Sequence, residues 1–496
     1  MLKAKRYLCL LLVIVFLILT SCGNDGDANK NDKSSDDKSQ QDAKSGGSGI
    51  EGPVPDNVTF GGRKVRVLAY SGNHNFMVTA EEASGDIELE AKYKRNQAVE
   101  TKLEVIFESI VAEGETDAND RLKRSVNSGT NDYDLVSGQQ WTVAALTTEN
   151  IFMDISLLPY LDLEQPWWAK DYCEEMQIGR DKMFFLVGDW HTGMLMSASA
   201  MFVNKTLYKN EVGDPDDMYK TVLEGNWTLD AYAEMIKGVY KDLDGSGRNS
   251  ADDQFGTAVS IPSLIHQFTY GAGIRFSTRD EDGLPVLDIV NERNASFAEK
   301  IYNIYFKNPG TRYVDTNLPE NSDQYKVMRD MFAENRLLFY PDRLSSARSL
   351  REIVSDFMII PYPKFDVTDT RYYSHVHDGM LLCVPTTCAL PETMLGAVME
   401  ELAYQGYKYM TPAFFEVAMK AKYMRDSDDI SMQVIELIRE SMTTDFTYVY
   451  MGMLEGGGTI MHSLLQERSF RLASAYQKIE GSVESALQSL IDAYLY

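Results

Sequence analysis

Apolar and polar residues alternate along the first half of the chain in a way that predicts strands separated by helices. Residues 64–70 (K-V-R-V-L-A-Y) form a β-branched, apolar run, and a polar loop follows at 71–75. Further strands are predicted at 103–107 and 133–137, with helices at 96–102 and 116–127. This spacing is typical of βαβ units, so we expect a parallel sheet whose ligands bind beyond the carboxyl ends of its strands.

The rest of the chain continues this mixture. Strands are predicted at 183–187, 200–204, 337–340, 357–360 and 380–384, and amphipathic helices at 392–408, 430–441 and 481–494. Thr228 is a good N-cap for a helix whose apolar residues Leu229, Tyr232, Ile236 and Tyr240 share one face. Thr411-Pro412 is predicted to begin another helix, because proline is favoured in a first turn. The predicted fold class is therefore α/β.

The N-terminus has the layout of a secretory signal. Lys3, Lys5 and Arg6 precede an apolar block at 7–19, which is shorter than the roughly 20 residues that cross a bilayer. Residues 23–59 are rich in Asp, Lys, Ser, Gly and Asn, so they cannot offset their ordering entropy by burial. We therefore expect an exported protein with a flexible tether before its folded part.

Composition limits the classes of partner. The 496 residues include 74 acidic and 48 basic side chains, a net charge of -26 at pH 7. Nucleic acid and anionic lipid both need a basic face, so neither is expected as the main partner. The length favours two or three domains. We expect Cys173, Cys383 and Cys388 to be small buried hydrophobic residues; a Cys383–Cys388 disulfide is the alternative.

The most specific chemical motif is an EF-hand-like loop at 242–253 (D-L-D-G-S-G-R-N-S-A-D-D). Calcium loops of 12 residues place oxygen ligands at positions 1, 3, 5, 7 and 12, with glycine at position 6. Those ligand positions hold Asp242, Asp244, Ser246, the carbonyl of Arg248 and Asp253. Position 12 is usually glutamate, and residues 254–259 look like a strand instead of a second helix. We predict structural Ca²⁺; an acidic helix-to-strand turn is the alternative.

Catalytic motifs are poorly represented. The sequence contains no G-x-S-x-G, H-E-x-x-H or G-x-x-x-x-G-K-[ST] motif. A catalytic pair of carboxylates, as in glycosidases, is an alternative that the sequence leaves open, because it has 74 acidic residues. His375 and His377 would share one face of a strand and could begin a zinc site, but no third ligand is identifiable. Trp141 and Trp190 follow strands among polar residues, where an indole can stack on a sugar ring; core packing is the alternative for each.

Several stretches along the chain resemble motifs of one protein family. They are Y-D-L-V at 133–136, A-M-F-V-N-K at 200–205, N-W-T-L-D at 226–230, F-A-E-N-R-L-L-F-Y-P at 332–341 and F-M-I-I-P-Y-P at 357–363. Their order and spacing are similar to those of the extracellular solute-binding proteins of ABC importers, of the maltodextrin-binding-like, two-lobed (type II) class. Asn335 stands where the family has glycine. L-T-S-C at 19–22 also resembles a bacterial lipobox, which implies cleavage before Cys22 and lipid on its sulfur.

The resemblance implies two α/β lobes on a hinge, with the ligand cleft between them. The implied division is a signal peptide at 1–22, a tether at 23–59, a first lobe at 60–195 and 385–440, and a second lobe at 196–384 and 441–496. Crossing segments are placed near 192–201, near 376–384 and around Ser441. From strand-end positions we predict ligand contacts by Tyr70, Asn73, Gln140 and Trp141 in the first lobe, Trp190 near the hinge, and Tyr270, Asp342 and Arg343 in the second lobe.

The predicted function is a lipid-anchored, monomeric binding protein on the outer face of the cell membrane. It would deliver a mono- or oligosaccharide to an ABC permease and perform no chemistry. The main alternative is a secreted lipoprotein enzyme, such as a glycosidase or lyase, which would use a similar aromatic cleft with two carboxylates. A third alternative is that the protein is a surface adhesin or a sensory receptor.

Overall fold

A computed structural model describes residues 52–69, 86–247, 249–250, 252–315, 323–350, 356–419 and 429–495. The strands are β1 (Arg63–Ala69), β2 (Val105–Val111), β3 (Leu135–Gln139), β4 (Ser199–Asn204), β5 (Phe255–Val259), β6 (Ser277–Arg279), β7 (Pro285–Leu287), β8 (Thr311–Tyr313), β9 (Leu337–Arg343), β10 (Phe357–Ile360), β11 (Ser374–His375), β12 (Met380–Cys383) and β13 (Met442–Thr443).

The helices alternate with these strands. They are α1 (Ile87–Leu103), α2 (Glu115–Ser128), α3 (Gln140–Ala144), α4 (Lys170–Glu175), α5 (Gly193–Ser197), α6 (Lys205–Glu211), α7 (Asp216–Leu223), α8 (Leu229–Lys237), α9 (Ile261–Gly271), α10 (Glu292–Phe306), α11 (Gln324–Ala333), α12 (Ser346–Leu350), α13 (Glu392–Met419), α14 (Asp429–Glu440), α15 (Phe446–Val449), α16 (Ile460–Gln466), α17 (Leu472–Tyr476) and α18 (Glu480–Leu495). Within the described residues, no helix combines the length and the apolar character needed to cross a membrane.

The first sheet has the strand order β12-β3-β1-β2. β1 pairs in parallel with β2 and β3, and β12 runs antiparallel to β3. Val65, Val67 and Leu68 of β1 are fully buried, as expected for an interior strand of a parallel sheet. The predicted βαβ arrangement is therefore confirmed.

The second sheet has the order β10-β4-β9-β5-β8. β5 is parallel to β8 and β9, whereas β4 is antiparallel to β9 and β10. The central strand β9 is buried from Leu337 to Asp342. Two sheets with helices packed around them confirm the predicted α/β class.

Three crossing segments connect the sheets and lie side by side. Ala198, just before β4, forms a β-bridge with Val376, and β11 pairs in parallel with β13. The Val376 N–H donates to the Thr443 carbonyl at 2.9 Å, and the Ser374 N–H donates to the Ser441 carbonyl at 2.8 Å. The predicted crossing segments are thus hydrogen-bonded to one another.

α1 is longer than the sequence pattern predicts, beginning at Ile87 instead of Asn96. The Asp86 carboxylate caps this helix by accepting the N–H groups of Glu88 and Leu89, at 2.9 and 3.0 Å. Uncharged and charged side chains alternate one by one over residues 87–94, so the apolar periodicity of 3.6 residues that signals a helix is absent there.

Thr411 and Pro412 do not begin a helix, which corrects the prediction. α13 continues through Pro412 for 28 residues in all. Pro412 has no N–H to offer the Lys408 carbonyl one turn earlier, which normally disfavours a helix interior. Met410 and Phe414 are buried beside it, and α13 packs along α1. Tertiary burial therefore offsets the missing hydrogen bond.

The structure also corrects three further predictions, two of them through strand pairing and one through burial at the start of the folded part. β12 belongs to the first sheet, whereas the predicted division puts residues 380–384 in the second lobe. Residues 183–187 contribute only a bridge from Leu186 to Leu382, not the predicted strand. Val54 is 1% exposed, and Asp56 forms an ion pair with Lys102. The folded part therefore begins before residue 59, the predicted end of the tether.

Candidate functional site

The carboxyl ends of β3 and β9 and the start of β12 lie together between the two sheets. Gln140 and Trp141 follow β3, Arg343 ends β9, and His377 and Asp378 precede β12. Gln140 Nε2 donates to the His377 carbonyl at 3.1 Å, and Arg343 Nη1 donates to an Asp378 carboxylate oxygen at 3.0 Å. We call these five residues the interlobe site.

Gln140 forms part of the wall of this site and is fully buried. The Tyr172 hydroxyl donates to its side-chain carbonyl, and its backbone N–H donates to the Gly379 carbonyl at 2.9 Å. A Cβ added at Gly379 would lie 2.2 Å from Tyr172 Oη and 2.8 Å from Gln140 Oε1. Position 379 therefore needs glycine so that β12 can approach the end of β3.

Trp141 is half-buried and supplies an aromatic surface to the interlobe site. Its ring meets His377 and Tyr448 edge-on, at centroid distances of 5.6 and 6.4 Å. The indole plane is therefore roughly perpendicular to both rings, at 75° and 80°. The other tryptophans, Trp167, Trp168, Trp190 and Trp227, are buried. Trp141 is thus the one tryptophan of the described residues that stays partly exposed, and it lies at the interlobe site.

A cluster of histidines and tyrosine, missed at the sequence level, lies behind the interlobe site. Tyr448 Oη lies 2.7 Å from His377 Nδ1, and the Tyr448 ring lies 4.4 Å from His375 and 5.2 Å from His266. His266 in turn stacks on His462 at 6.2 Å. These residues come from α9, the crossing segments, α15 and α16, so no local sequence pattern joins them.

Burial lowers the pKa of each imidazole in this cluster. Burial, reinforced by the positive charge of Arg343, lowers the pKa of His377 to about 3. Burial also lowers the pKa of His266 to about 3 and that of His375 well below its usual range. In the described part of the chain, neither ring nitrogen of His375 has a hydrogen-bond partner, and no third ligand joins His375 and His377 in a metal-binding group.

Asp342 and Arg343 play different roles although they are adjacent. The Tyr340 and Ser346 hydroxyls donate to the Asp342 carboxylate, which is buried. Burial raises the pKa of Asp342. Arg343 instead points to Asp378 and lies 5.4 Å from the centroid of the Tyr325 ring. Asp342 therefore lies inside the second lobe, and Arg343 faces the site.

The remaining predicted contacts lie elsewhere. Trp190 is fully buried, and its carbonyl accepts a hydrogen bond from the buried Arg95 of α1. Tyr270 is also fully buried; its hydroxyl donates to the Gly458 carbonyl at 3.0 Å, and its ring packs 4.9 Å from His375. Both side chains are therefore interior residues, which corrects the prediction that they contact a solute. Tyr70 and Asn73 lie outside the described residues.

The EF-hand-like loop brings its acidic residues together. Carboxylate oxygens of Asp242, Asp244 and Asp253 lie within 4.8 Å of one another. Hydrogen bonds from Ser246 lower the pKa of Asp244 to about 2, and Gly247 N–H donates to Asp242 at 2.9 Å. The predicted strand after the loop is β5. Arg248 lies outside the described residues, so the predicted carbonyl ligand is not placed.

All three cysteines in the described part of the chain are free thiols, and Cys173 and Cys383 are buried. The Cys383–Cys388 disulfide is therefore not formed. Burial raises the pKa of Cys388 to about 11, so this half-buried thiol is a poor nucleophile at neutral pH.

Three solved structures share this fold over most of their length. A family 1 extracellular solute-binding protein from Bifidobacterium longum subsp. infantis is 12% identical, with a TM-score of 0.52 over 88% of this chain and 100% of that chain. UgpB from Mycobacterium tuberculosis, in complex with glycerophosphocholine, is 12% identical, with a TM-score of 0.52 over 86% and 99%. A cyclo/maltodextrin-binding protein complexed with maltotetraose is 11% identical, with a TM-score of 0.51 over 87% and 96%.

These likenesses establish the fold. The chain has the two-lobed α/β fold of extracellular solute-binding proteins, which confirms the predicted fold class and the resemblance at the level of structure. No protein-family model and no curated protein matches the sequence.

Proposed function

We propose that this protein is the lipid-anchored solute-binding component of an ABC importer, and that it binds a carbohydrate-type solute at the interlobe site. The observation that carries the proposal is the packing of Trp141 against His377, the residue before Asp378 of the Arg343–Asp378 pair, where strand ends of both sheets meet. Ligands of open α/β sheets bind at such strand ends. Binding proteins of maltotetraose and of glycerophosphocholine share the fold.

The chemistry of the interlobe site suits a neutral polyol. The Trp141 indole can cover the apolar C–H face of a sugar ring, while Asp378 accepts and Arg343 donates hydrogen bonds to hydroxyls. The neutral His377 ring adds a further polar group. Because Arg343 and Asp378 neutralise each other, the site has no net charge that would select an ion.

Lobe closure would complete the site. A ligand shifts a hinge equilibrium only if it binds the closed state better, which requires contacts from both lobes. Trp141 follows strand β3 of the first sheet, and Arg343 is the last residue of strand β9 in the second sheet. A second interlobe contact, the ion pair of Glu88 in α1 with Arg348 in α12, would also form or break as the lobes move.

Membrane anchoring rests on the sequence motif at residues 19–22, because Cys22 lies outside the described residues. A diacylated cysteine gives two-chain anchoring, which a single acyl chain does not. The anchor would keep the binding protein near its permease. Structural Ca²⁺ at Asp242, Asp244 and Asp253 is a further part of the proposal, supported by the convergence of their carboxylates.

A thermal-shift screen of mono- and oligosaccharides, followed by isothermal titration, tests the proposal. We expect a stoichiometric complex, and Trp141→Ala should weaken it about fivefold, since stacking on an aromatic ring contributes about 1 kcal/mol. Phe470→Ala is the matched control, because Phe470 is an exposed aromatic outside the site. Affinity unchanged by Trp141→Ala would contradict the proposed site. Sugar cleavage seen by mass spectrometry would favour the enzyme alternative.

A further inference from the structure

A surface groove separates the β6–β7 hairpin from helices α17 and α18. It consists of two adjoining cavities, of about 480 and 360 Å³. Leu287 and Glu484 line both cavities, so they form one continuous depression. None of the five residues of the interlobe site lines it. The groove is therefore separate from the proposed solute site.

The groove has an apolar floor. Leu487 and Ile491 of α18 lie at its base and are 7% and 8% exposed, whereas Val286 and Val290 on the hairpin side are 45% and 42% exposed. Exposed valines beside a concave apolar surface can be covered by a partner's side chains. Apolar burial would therefore supply part of the binding free energy at this surface.

The walls of the groove are acidic. Asp280 and Asp288 lie on the hairpin side, and Glu480 and Glu484 lie one turn apart on α18. No lysine or arginine is among the described residues that line either cavity. Like charges at positions i and i+4 destabilise a helix, and neither glutamate has an ion-pair partner in the described chain. Glu480 is the first residue of α18, where a carboxylate also interacts favourably with the helix dipole. Glu484 lies beyond the first turn, and the carboxylates of the two walls together suit a cationic partner.

The hairpin also presents an open backbone edge. β7 pairs only with β6. The Asp280 N–H donates to the Leu284 carbonyl, and the Asp288 N–H donates to the Phe276 carbonyl. In this antiparallel register Leu287 opposite Ser277 and Pro285 opposite Arg279 are non-hydrogen-bonded positions. The N–H and C=O of Leu287 therefore point away from β6, as does the C=O of Pro285, which has no N–H. An extended peptide can add to such an edge through main-chain hydrogen bonds.

We propose that this groove is a docking site for an extended, cationic segment of a partner protein, in which lysine or arginine alternates with aliphatic residues. The segment adds to the free edge of β7. In an extended chain alternate side chains point to opposite faces, so its aliphatic side chains cover the groove floor while its cations lie near the acidic walls. Charge complementarity selects this occupant, because the groove offers carboxylates without competing cations.

The test uses a fluorescein-labelled hexapeptide, acetyl-(Lys-Val)₃-amide, with the full chain at 150 mM salt. Fluorescence anisotropy should show saturable binding. The double variant Glu480→Gln/Glu484→Gln should weaken binding at least tenfold. Glu299→Gln/Glu392→Gln makes the same change of net charge at exposed residues outside the groove, so it should stay within twofold of the parent.

Two further sets of peptides separate the contribution of main-chain hydrogen bonds from that of apolar burial. Methylating only the peptide amides that pair with β7 should abolish binding, whereas methylating the alternate amides should not. A (Lys-Ser)₃ peptide should bind at least tenfold more weakly. Absence of saturable binding, equal losses in the two double variants, or equal binding of both peptides would overturn the proposal. Val286→Ser, at an exposed position, repeats the test if the double variant does not fold.

Discussion

Arg343 and Asp378 form an ion pair at 3.0 Å that joins the end of β9 in the second sheet to the segment leading into β12 in the first sheet. The Arg343 side chain is 23% exposed and the Asp378 side chain is 20% exposed. The pair therefore lies where a solute between the lobes would meet both partners, and its two residues should act together in binding.

Arg343→Gln and Asp378→Asn should each weaken solute binding, because each removes one partner of the ion pair at the site. Arg343 keeps a second carboxylate, Asp342, at 3.8 Å. We expect a loss of about tenfold or more for each single variant, and a double variant that loses less than the two effects combined. Isothermal titration with the solute found by the screen measures all three. Additive losses would show that the residues act independently.

Gly379→Ala should destabilise the protein by about 1–3 kcal/mol, since an added methyl group forces the kind of strain seen in overpacked cores. The clash is with Tyr172 Oη and Gln140 Oε1. Gly238→Ala is the matched control, because a Cβ there meets nothing within 4 Å and the backbone φ is -79°. Urea unfolding measures both. Equal stability of the two variants would contradict the predicted close approach.

Acidification should destabilise the protein through its buried histidines. The pKa of His266 and His377 is lowered to about 3 by burial, while an unfolded chain has histidines near 6.5. Below about pH 6.5 the unfolded state therefore binds protons that the folded state does not. The free energy of unfolding should fall by up to about 1.4 kcal/mol per pH unit for each histidine, between pH 6.5 and pH 3.

Urea unfolding at pH 7, 6 and 5 checks this slope. His375→Phe supplies the internal control, because it removes a third buried imidazole whose nitrogens have no hydrogen-bond partner in the described chain. The variant should have a shallower pH dependence, and it should be at least as stable as the parent at pH 7, since an unpaired buried polar group costs about 1–3 kcal/mol. A steeper pH dependence would contradict the assignment.

Calcium should raise the thermal midpoint of the metal-stripped protein, because a ligand that binds only the folded state stabilises it by mass action. Asp242→Asn and Asp244→Asn should abolish that shift by removing carboxylate ligands. Asp252→Asn is the control, since Asp252 lies in the same loop but outside the converging group. If titration with millimolar calcium produces no heat of binding, the prediction of a calcium site is wrong.

Cys22→Ala should release the protein from the membrane and abolish solute uptake, because the substitution removes the thiol that would carry the lipid. Solute affinity in solution should be unchanged, since the folded part begins more than 30 residues later along the sequence. Cell fractionation, uptake of labelled solute and titration of the purified variant measure the three effects. Membrane retention of the variant would contradict lipid anchoring through this residue.

Local sequence patterns predicted the individual elements well where apolar periodicity was strong. β1, β4, β10 and α8 follow runs of apolar residues or a capping threonine, and Thr228 Oγ1 accepts the Ala231 N–H at 3.3 Å as the N-cap rule predicts. The start of α1 was missed because uncharged and charged residues alternate over residues 87–94 and hide the helical period. The passage of α13 through Pro412 was not predictable, because it depends on packing partners remote in sequence.

The sequence by itself determined the α/β class, the acidic surface, the calcium-like loop spacing and the candidate signal at the N-terminus, since each depends on residues that are close together in the chain. Only the tertiary structure decided which strand-end residues share one site. It joined Trp141, Arg343 and Asp378, and it placed Trp190 and Tyr270 in the interior. The reason is that crossing segments and strand order bring together residues more than 200 positions apart, and no local periodicity records that pairing.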